Sequence, residues 1–262
     1  MTHERGRDNV TDFSGGGDPG RSMALLWGVP GVGRRGPKPS RSVDEVVAAA
    51  IALADADGLA ALSVRRVAEA LGLSPMSLYT YVPSKAELLD LMLDRVAQEI
   101  GAPDAPDWRG RLEQLARGRW AMAQRHPWLM QVGMHRPPLG PHILAAAEEA
   151  LQALDGLGLS EAEMDQLTTV LGDYVRGAVR AALDAREVER LSGMSDEQWW
   201  AMNQPLLKEL VDAGRYPTLT RIGEAYKSAA IPPPDQERNF EFGLQRVLDG
   251  IAAFIEKRQA GR

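Results

Sequence analysis

The sequence contains no cysteine, which excludes disulfide bonds and thiolate metal sites and suits a reducing compartment. It also lacks any apolar run near the roughly 18 residues that a membrane span requires. Its apolar segment at residues 23–32 is interrupted by Gly28, Pro30 and Gly31. No signal peptide is recognisable, so we expect a cytoplasmic protein with no membrane partner.

The chain has fewer basic than acidic residues, 30 against 36, which gives a formal net charge of −6. This balance excludes a protein that coats nucleic acid by bulk charge, so any DNA contact must depend on local basic groups. At 262 residues and 44% hydrophobic content, the chain can bury a sizeable core in one or two domains.

Strand signals are also lacking, since no apolar–polar alternation with hairpin turns is persuasive anywhere in the chain. Helical periodicity dominates from residue 41 onward, and we predict an all-α fold. The expected breaks after residue 106 lie at residues 127, 137–138, 156–158, 193, 214–217 and 232–234.

The first 40 residues are rich in Gly, Pro, Arg and Ser, and they are predicted to form a flexible basic arm. Arg34 and Arg35 belong to an acid-free stretch just before residue 41. Such a stretch could lie along a DNA minor groove or could simply solubilise the chain, and both interpretations stay open. The spacing of Gly31 and Gly36 suggests a phosphate loop, but Pro37 replaces the required lysine.

Residues 41–85 are predicted to form a three-helix domain. Ser42 and Glu45 make a capping box for the first helix, and Ser63 caps the second, which Gly72 ends. A third helix is expected over residues 75–82, with Ser74 as its cap and a proline at its first position. Two helices joined by a tight turn predict helix-turn-helix geometry, whose second helix enters the major groove.

The predicted third helix has few residues suited to a core. Leu78 and Val82 share one face, which leaves polar and aromatic side chains exposed. Hydroxyl groups are natural phosphate ligands, so this surface favours DNA binding. The alternative is an ordinary connector between packed helices with two partly buried tyrosines.

The run "SVRRVAEALGLSPMSLYTYVPSKAELLDLML", preceded by "VVAAAIALADADGLAAL", resembles the N-terminal domain of the TetR family of transcriptional regulators. The resemblance implies that Arg65 reads a base edge, most plausibly guanine. It places Pro75, Met76 and Thr80 against bases, and it gives phosphate contacts to the side chains of Ser77, Tyr79, Tyr81 and Lys85. A DNA contact is less expected for Arg66 than for Arg65.

The resemblance also implies that residues 86–262 form a helical domain for ligand binding and dimerisation. Two apolar stripes, one containing Leu171 and Ala182 and the other Phe240 and Ile255, are expected to form a homodimer interface or plain core. A small-molecule effector of unknown identity is expected between them and the DNA-binding domain. The predicted pocket residues are Trp120, His126, Trp128, Met134, His135, His142, Asp173, Tyr174 and Arg176.

The leading hypothesis is therefore a ligand-responsive repressor that binds a palindromic double-stranded DNA operator as a dimer. A helical enzyme is the first rival, but neither a Gly-x-Ser-x-Gly nor a His-Glu-x-x-His motif is present. We expect no catalytic residues, no cofactor and no metal, since the spacing of the histidines from His126 to His142 fits no ligand motif. A helix-turn-helix used only for protein contacts is the second rival.

Overall fold

The computed structural model describes residues 12–29, 41–232 and 235–261. Within these ranges the only β pairing is a single bridge between Phe13 and Gly133, so the predicted all-α fold is confirmed. No helix in these ranges is both long and apolar enough to cross a membrane. The helices are α1 (Pro19–Leu26), α2 (Val43–Asp57), α3 (Val64–Ala70), α4 (Pro75–Leu78), α5 (Lys85–Ala97), α6 (Trp108–Arg125), α7 (Pro141–Leu154), α8 (Glu161–Ser192), α9 (Asp196–Leu210), α10 (Pro217–Lys227) and α11 (Gln236–Ala260).

Helices α2, α3 and α4 begin at the caps that the sequence predicts, which are Ser42, Ser63 and Ser74. The Ser42 side chain accepts the N–H of Glu45, and the Glu45 carboxylate accepts the N–H of Ser42. Ser160 and Glu163 repeat this reciprocal arrangement at the start of α8. Each cap satisfies backbone N–H groups that have no partner inside the helix, which is worth about 1 kcal/mol.

Helices α2, α3 and α4 pack into a small core with α5. The most deeply buried side chains include Val46, Val67, Leu78 and Val82. Burial of one such side chain stabilises the fold by roughly 1.5–3 kcal/mol. Gly72, with φ of +68°, makes the turn between α3 and α4, a conformation that is costly for residues with a side chain.

Helix α4 is shorter than the sequence predicts. The α-helix ends at Leu78, and the chain continues as tighter turns in which the N–H of Thr80 donates to the Ser77 carbonyl and the N–H of Tyr81 to the Leu78 carbonyl. Pro83 disfavours helical geometry only at Val82, so it stops continuation toward α5 but does not account for the earlier end. The helix predicted over residues 75–82 is thus a single α-helical turn, Pro75–Leu78, followed by these tighter turns.

The prediction of a flexible arm is wrong for residues 12–29. Helix α1 begins after its cap residue Asp18 and packs against α5. The Ser22 hydroxyl donates to Asp90 Oδ2 at 2.8 Å, and the N–H of Gly15 donates to Asp90 Oδ1 at 3.0 Å. Because the Asp90 carboxylate is buried, it requires such donors, and the N-terminal segment supplies them.

Helix α6 is the centre of the C-terminal domain and contacts α7, α8 and α11. Gly118 allows α6 to cross the 3₁₀ turn at Gln98–Ile100, since a Cβ atom there would lie 2.5 Å from the Ile100 carbonyl oxygen. The long helices α8 and α11 pack along one another. Helices α9 and α10, by contrast, have no buried residue and expose several large apolar side chains.

Candidate nucleic-acid interface and effector region

Helix α4 presents most of its side chains to solvent. Pro75, Tyr79 and Thr80 are exposed, and Met76 is 75% exposed although it is apolar. Ser74 caps the helix by accepting the N–H of Ser77 at 3.1 Å, and the two serine hydroxyls lie 2.8 Å apart. The result is a small convex surface of hydroxyl, thioether and aromatic groups that can enter a groove.

Arg65 lies in the first turn of α3, with its side chain 80% exposed. Its Nε atom donates to Glu69 Oε1 at 2.9 Å, and this hydrogen bond raises the pKa of the guanidinium above its usual value. Glu69 lies one turn further along α3 and orients the arginine. To bind a base edge, the Arg65 guanidinium must leave the Glu69 carboxylate. An exposed ion pair of this kind is weak, so breaking it costs little.

The position of Tyr81 does not agree with its predicted contact to a DNA phosphate. Its side chain is buried, and its hydroxyl accepts the backbone N–H of Arg41 at 3.2 Å. The ring packs in the core of the three-helix domain, so a structural role takes up the side chain that was predicted to contact a phosphate. Tyr79, two residues earlier, keeps the exposed position that the prediction requires.

Lys85 is partly exposed at the start of α5, where its Nζ atom pairs with Asp12 Oδ2 at 2.9 Å. No local sequence pattern predicts this pair, because 73 residues separate its members. The Arg66 guanidinium pairs with Asp57 and donates to the Ala61 carbonyl. These contacts fit the weaker expectation that Arg66 binds DNA. Arg34 and Arg35 lie outside the described residues.

His126 and Trp128 meet the DNA-binding domain at the junction between the two domains. The Nδ1 atom of His126 lies 2.7 Å from Asp55 Oδ1, and the Trp128 indole donates to the same oxygen at 2.8 Å. Glu99 contacts the other nitrogen of His126 at 3.1 Å. Asp55 belongs to α2, so this cluster ties the helix-turn-helix to the C-terminal domain; no sequence motif indicated its role.

The other predicted pocket residues do not converge on one place. Asp173 and Tyr174 line a cavity of about 460 Å³ between α8 and α11, whereas Arg176 and His135 are exposed. His142 contributes its backbone N–H, which donates to the buried Asp94 carboxylate at 3.0 Å. Met134 is partly buried in the segment before α7.

An aromatic stack connects α6 with the cavity between α8 and α11. The ring of Trp120 stacks on Phe240 with centroids 4.3 Å apart, and Tyr174 lies 6.1 Å from Phe240 on a nearly parallel plane. The Tyr174 hydroxyl donates to the Phe240 carbonyl at 2.6 Å, and burial raises the pKa of this phenol. Across the part of the chain that the structure covers, no three His, Asp or Glu side chains cluster as a metal site.

Comparisons with known proteins agree with this architecture. Residues 46–92 match the family described as bacterial regulatory proteins, tetR family, and residues 101–255 match the tetracyclin repressor-like C-terminal domain. The chain is 43% identical over 257 residues to the HTH-type transcriptional repressor DrrR1 of Streptomyces coeruleorubidus. That alignment covers 97% of this chain and 93% of the relative.

Solved structures show the same fold. Apo ActR from Streptomyces coelicolor is similar with a TM-score of 0.67 and 26% identity, over 85% of this chain and 99% of ActR. ActR in complex with actinorhodin is similar with a TM-score of 0.66 and 27% identity, over 82% and 98%. Both domains match, and the chain therefore belongs to the tetR family of DNA-binding transcriptional regulators and is not an enzyme.

Proposed function

We propose that this protein is a cytoplasmic repressor that binds a palindromic DNA operator as a homodimer and is released by a small-molecule effector. The observation that carries the proposal is the exposed surface of α4, where Met76 and Tyr79 project beside the arginine of α3. A short capped helix that exposes a thioether and hydroxyl groups, followed directly by an exposed tyrosine, suits a helix that enters the major groove of DNA.

The operator contacts divide into base and phosphate groups. Arg65 reads a guanine by a forked hydrogen bond, while Pro75, Met76 and Thr80 face bases, with thymine methyl groups as partners for the apolar pair. Ser77, Tyr79 and Lys85 hold phosphates and set the register. The Asp12 carboxylate gives up Lys85 when a phosphate arrives.

The dimer is proposed to form through the outer faces of α8 and α11. Val170 is 53% exposed there, and Phe254 is also exposed. A Cβ atom at Gly177 or Gly250 would meet no neighbour within 4 Å, so both glycines open onto solvent in one protomer. Flat, apolar and small-residue faces allow a second pair of helices to approach closely. The inner faces of the same helices, including Leu171 and Leu248, form the protomer's own core.

The effector is proposed to bind in the C-terminal domain near α6. The ActR complex with actinorhodin supports a small-molecule effector for a protein of this fold. The junction cluster of Asp55, His126 and Trp128 then offers a path to α2, because movement of the 3₁₀ turn at Pro127–Gln131 displaces a hydrogen-bonded partner in the DNA-binding domain.

Selection of bound duplexes from a random library tests the proposal. We expect an inverted repeat whose half-sites are about one helical turn, or a multiple of it, apart. Recovery of no preferred sequence at moderate salt, by a chain that is folded and dimeric, would contradict operator recognition. That outcome would favour a helix-turn-helix used for protein contacts.

A further inference from the structure

Helix α6 carries five arginines, and four of them have a carboxylate partner. The pairs are Arg109 with Asp249, Arg111 with Glu149, Arg117 with Glu241 and Arg125 with Glu99. Among the residues that the structure describes, none forms an ion pair or hydrogen bond with the side chain of Arg119.

The position of Arg119 makes this lack of a partner unusual. Its neighbours three or four residues away on α6 are Leu115, Ala116, Met122 and Ala123, which are all apolar and, except for the partly buried Met122, buried. The Arg119 side chain is itself partly buried, and this burial lowers the pKa of its guanidinium. No acid among the described residues offsets that effect, so an anion or several acceptors would lower the cost of burying its five donors.

A second polar group on α6 is unsatisfied as well. Both side-chain atoms of Gln124, Nε2 and Oε1, are buried without a hydrogen-bond partner. Gln124 follows Trp120 by one turn, on the face of α6 that stacks on Phe240. Within six residues of sequence, and counting partners among the described residues, α6 thus carries a partly buried arginine without an acid, a buried amide without a hydrogen-bond partner and one ring of an aromatic stack.

We propose that Arg119 is the effector-recognition residue and that the effector is an aromatic acid whose carboxylate it binds. This inference rests on the proposed function and names the ligand class of its effector site. The planar fork of arginine matches a carboxylate in a bidentate pair, and the adjacent Trp120 ring suits a flat apolar body. The amide of Gln124 can donate to and accept from further oxygens on the same ligand.

Matched pairs of acids and primary amides test the charge requirement. The probes are 2-naphthoic acid and anthraquinone-2-carboxylic acid, each with its amide, titrated calorimetrically into the full chain. We expect at least one acid to bind about tenfold more tightly than its amide, as a charge-assisted bidentate pair requires. Equal affinity for acid and amide in both pairs, or binding of neither acid, would overturn the proposal.

Variants of α6 assign the preference to one residue. Arg119→Met is expected to remove the preference for the acid and leave amide binding unchanged within about twofold. Arg117→Met is the control, because that guanidinium is already satisfied by Glu113 and Glu241 and should leave the preference intact. Arg119→Lys, which keeps the charge without the fork, should retain part of the preference and serves if the methionine variant does not fold.

Two further measurements separate the possible failures. If Arg119 instead pairs with an acid across a dimer interface, Arg119→Met will dissociate the dimer in analytical ultracentrifugation while the acid preference survives, and the proposal is then wrong. Operator binding without any probe is measured separately for the wild type and for Arg119→Met, and we expect it to be equal in both. Failure of the wild type to bind DNA would count against the proposed function even if Arg119 selects acids.

Discussion

The Nζ atom of Lys85, the first residue of α5, lies 2.9 Å from the Oδ2 atom of Asp12 in the N-terminal segment. Both side chains are about one-third exposed, at 35% and 32%. The acid therefore covers part of a cation proposed to hold a DNA phosphate. An incoming phosphate must displace a carboxylate of the same protein, which lowers the net gain from that contact.

Replacement of Asp12 by Asn is expected to strengthen operator binding. The expected gain is about twofold to fivefold, since a partly exposed ion pair is worth up to about 1 kcal/mol. Fluorescence anisotropy with labelled operator at two salt concentrations measures it. Asp184→Asn is the control, because it removes the same charge from an exposed position on α8. Equal gains in both variants would show a general charge effect and contradict a local one.

Tyr79→Phe and Tyr81→Phe are expected to act on different properties. The exposed Tyr79 is a proposed phosphate ligand, so loss of its hydroxyl should weaken DNA binding without changing thermal stability. The buried Tyr81 hydroxyl accepts the Arg41 N–H, and its loss should cost about 0.5–1.5 kcal/mol of unfolding free energy. Urea unfolding and anisotropy on the same samples check both, and a reversed pattern would contradict the assignment.

Arg65→Ala should weaken specific operator binding by about 1–3 kcal/mol, because a forked contact to guanine is lost. The matched control is Arg190→Ala, since Arg190 also makes an exposed ion pair with an acid on its own helix. Competition between operator and random duplex separates specific from non-specific affinity. Equal losses of affinity for the operator and the random duplex would show that Arg65 contacts a phosphate and does not read a base.

Ala181→Arg is expected to shift the protein toward monomer, because it places a charge on the exposed small-residue face of α8. Ala147→Arg, on an exposed position of α7, is the control with the same change of size and charge. Sedimentation velocity at micromolar concentration distinguishes the two. A dimer that survives Ala181→Arg would place the interface elsewhere, for example on the apolar surface of α9 and α10.

The ion pair between Glu241 and Arg117 is expected to make the stability of the fold depend on pH. Its pKa is held below the ordinary value of 4.5 because Arg117 donates two hydrogen bonds to its carboxylate. A lowered pKa in the folded state stabilises the fold above pH 4.5, and this stabilisation is lost as the pH falls through the folded-state pKa. Glu241→Gln should therefore lower stability near neutral pH by less than about 1 kcal/mol, since the pair is partly exposed.

Urea unfolding across a pH series tests this effect on stability. We expect the stability difference between the wild type and Glu241→Gln to shrink as the pH falls below 4.5 and to vanish once the pH is well below the folded-state pKa of Glu241. A difference that stays constant over the whole range would show that Glu241 contributes packing and not charge.

Helix starts and the helix-turn-helix were predictable because their signals are local. Ser42 and Glu45 lie three residues apart and cap one another wherever the rest of the chain lies. Pro83 correctly predicted that no helix continues past Val82, but α4 ends earlier, at Leu78. The TetR resemblance rested on the same short region, and both family matches confirm it.

Contacts between residues far apart in the sequence determine features that the local sequence pattern does not predict. Tyr79 and Tyr81 have almost the same sequence context, yet one is exposed and the other lies beneath Arg41, 40 residues earlier. Helix α1 is docked because the buried carboxylates of Glu87 and Asp90, about 70 residues later, accept the backbone N–H groups of Asp18 and Gly15 just before the helix.

Local patterns were enough to predict the all-α class, the first caps, most of the helix breaks and the short helix available for DNA. Those features depend on interactions within one or two helical turns. Packing between distant segments places Asp12 on Lys85 and Asp55 on His126, and within the described ranges it leaves Arg119 as the arginine of α6 without an acid. The reason is physical: whether a charge has a partner depends on which distant segments pack around it, and periodicity along the chain carries no record of that.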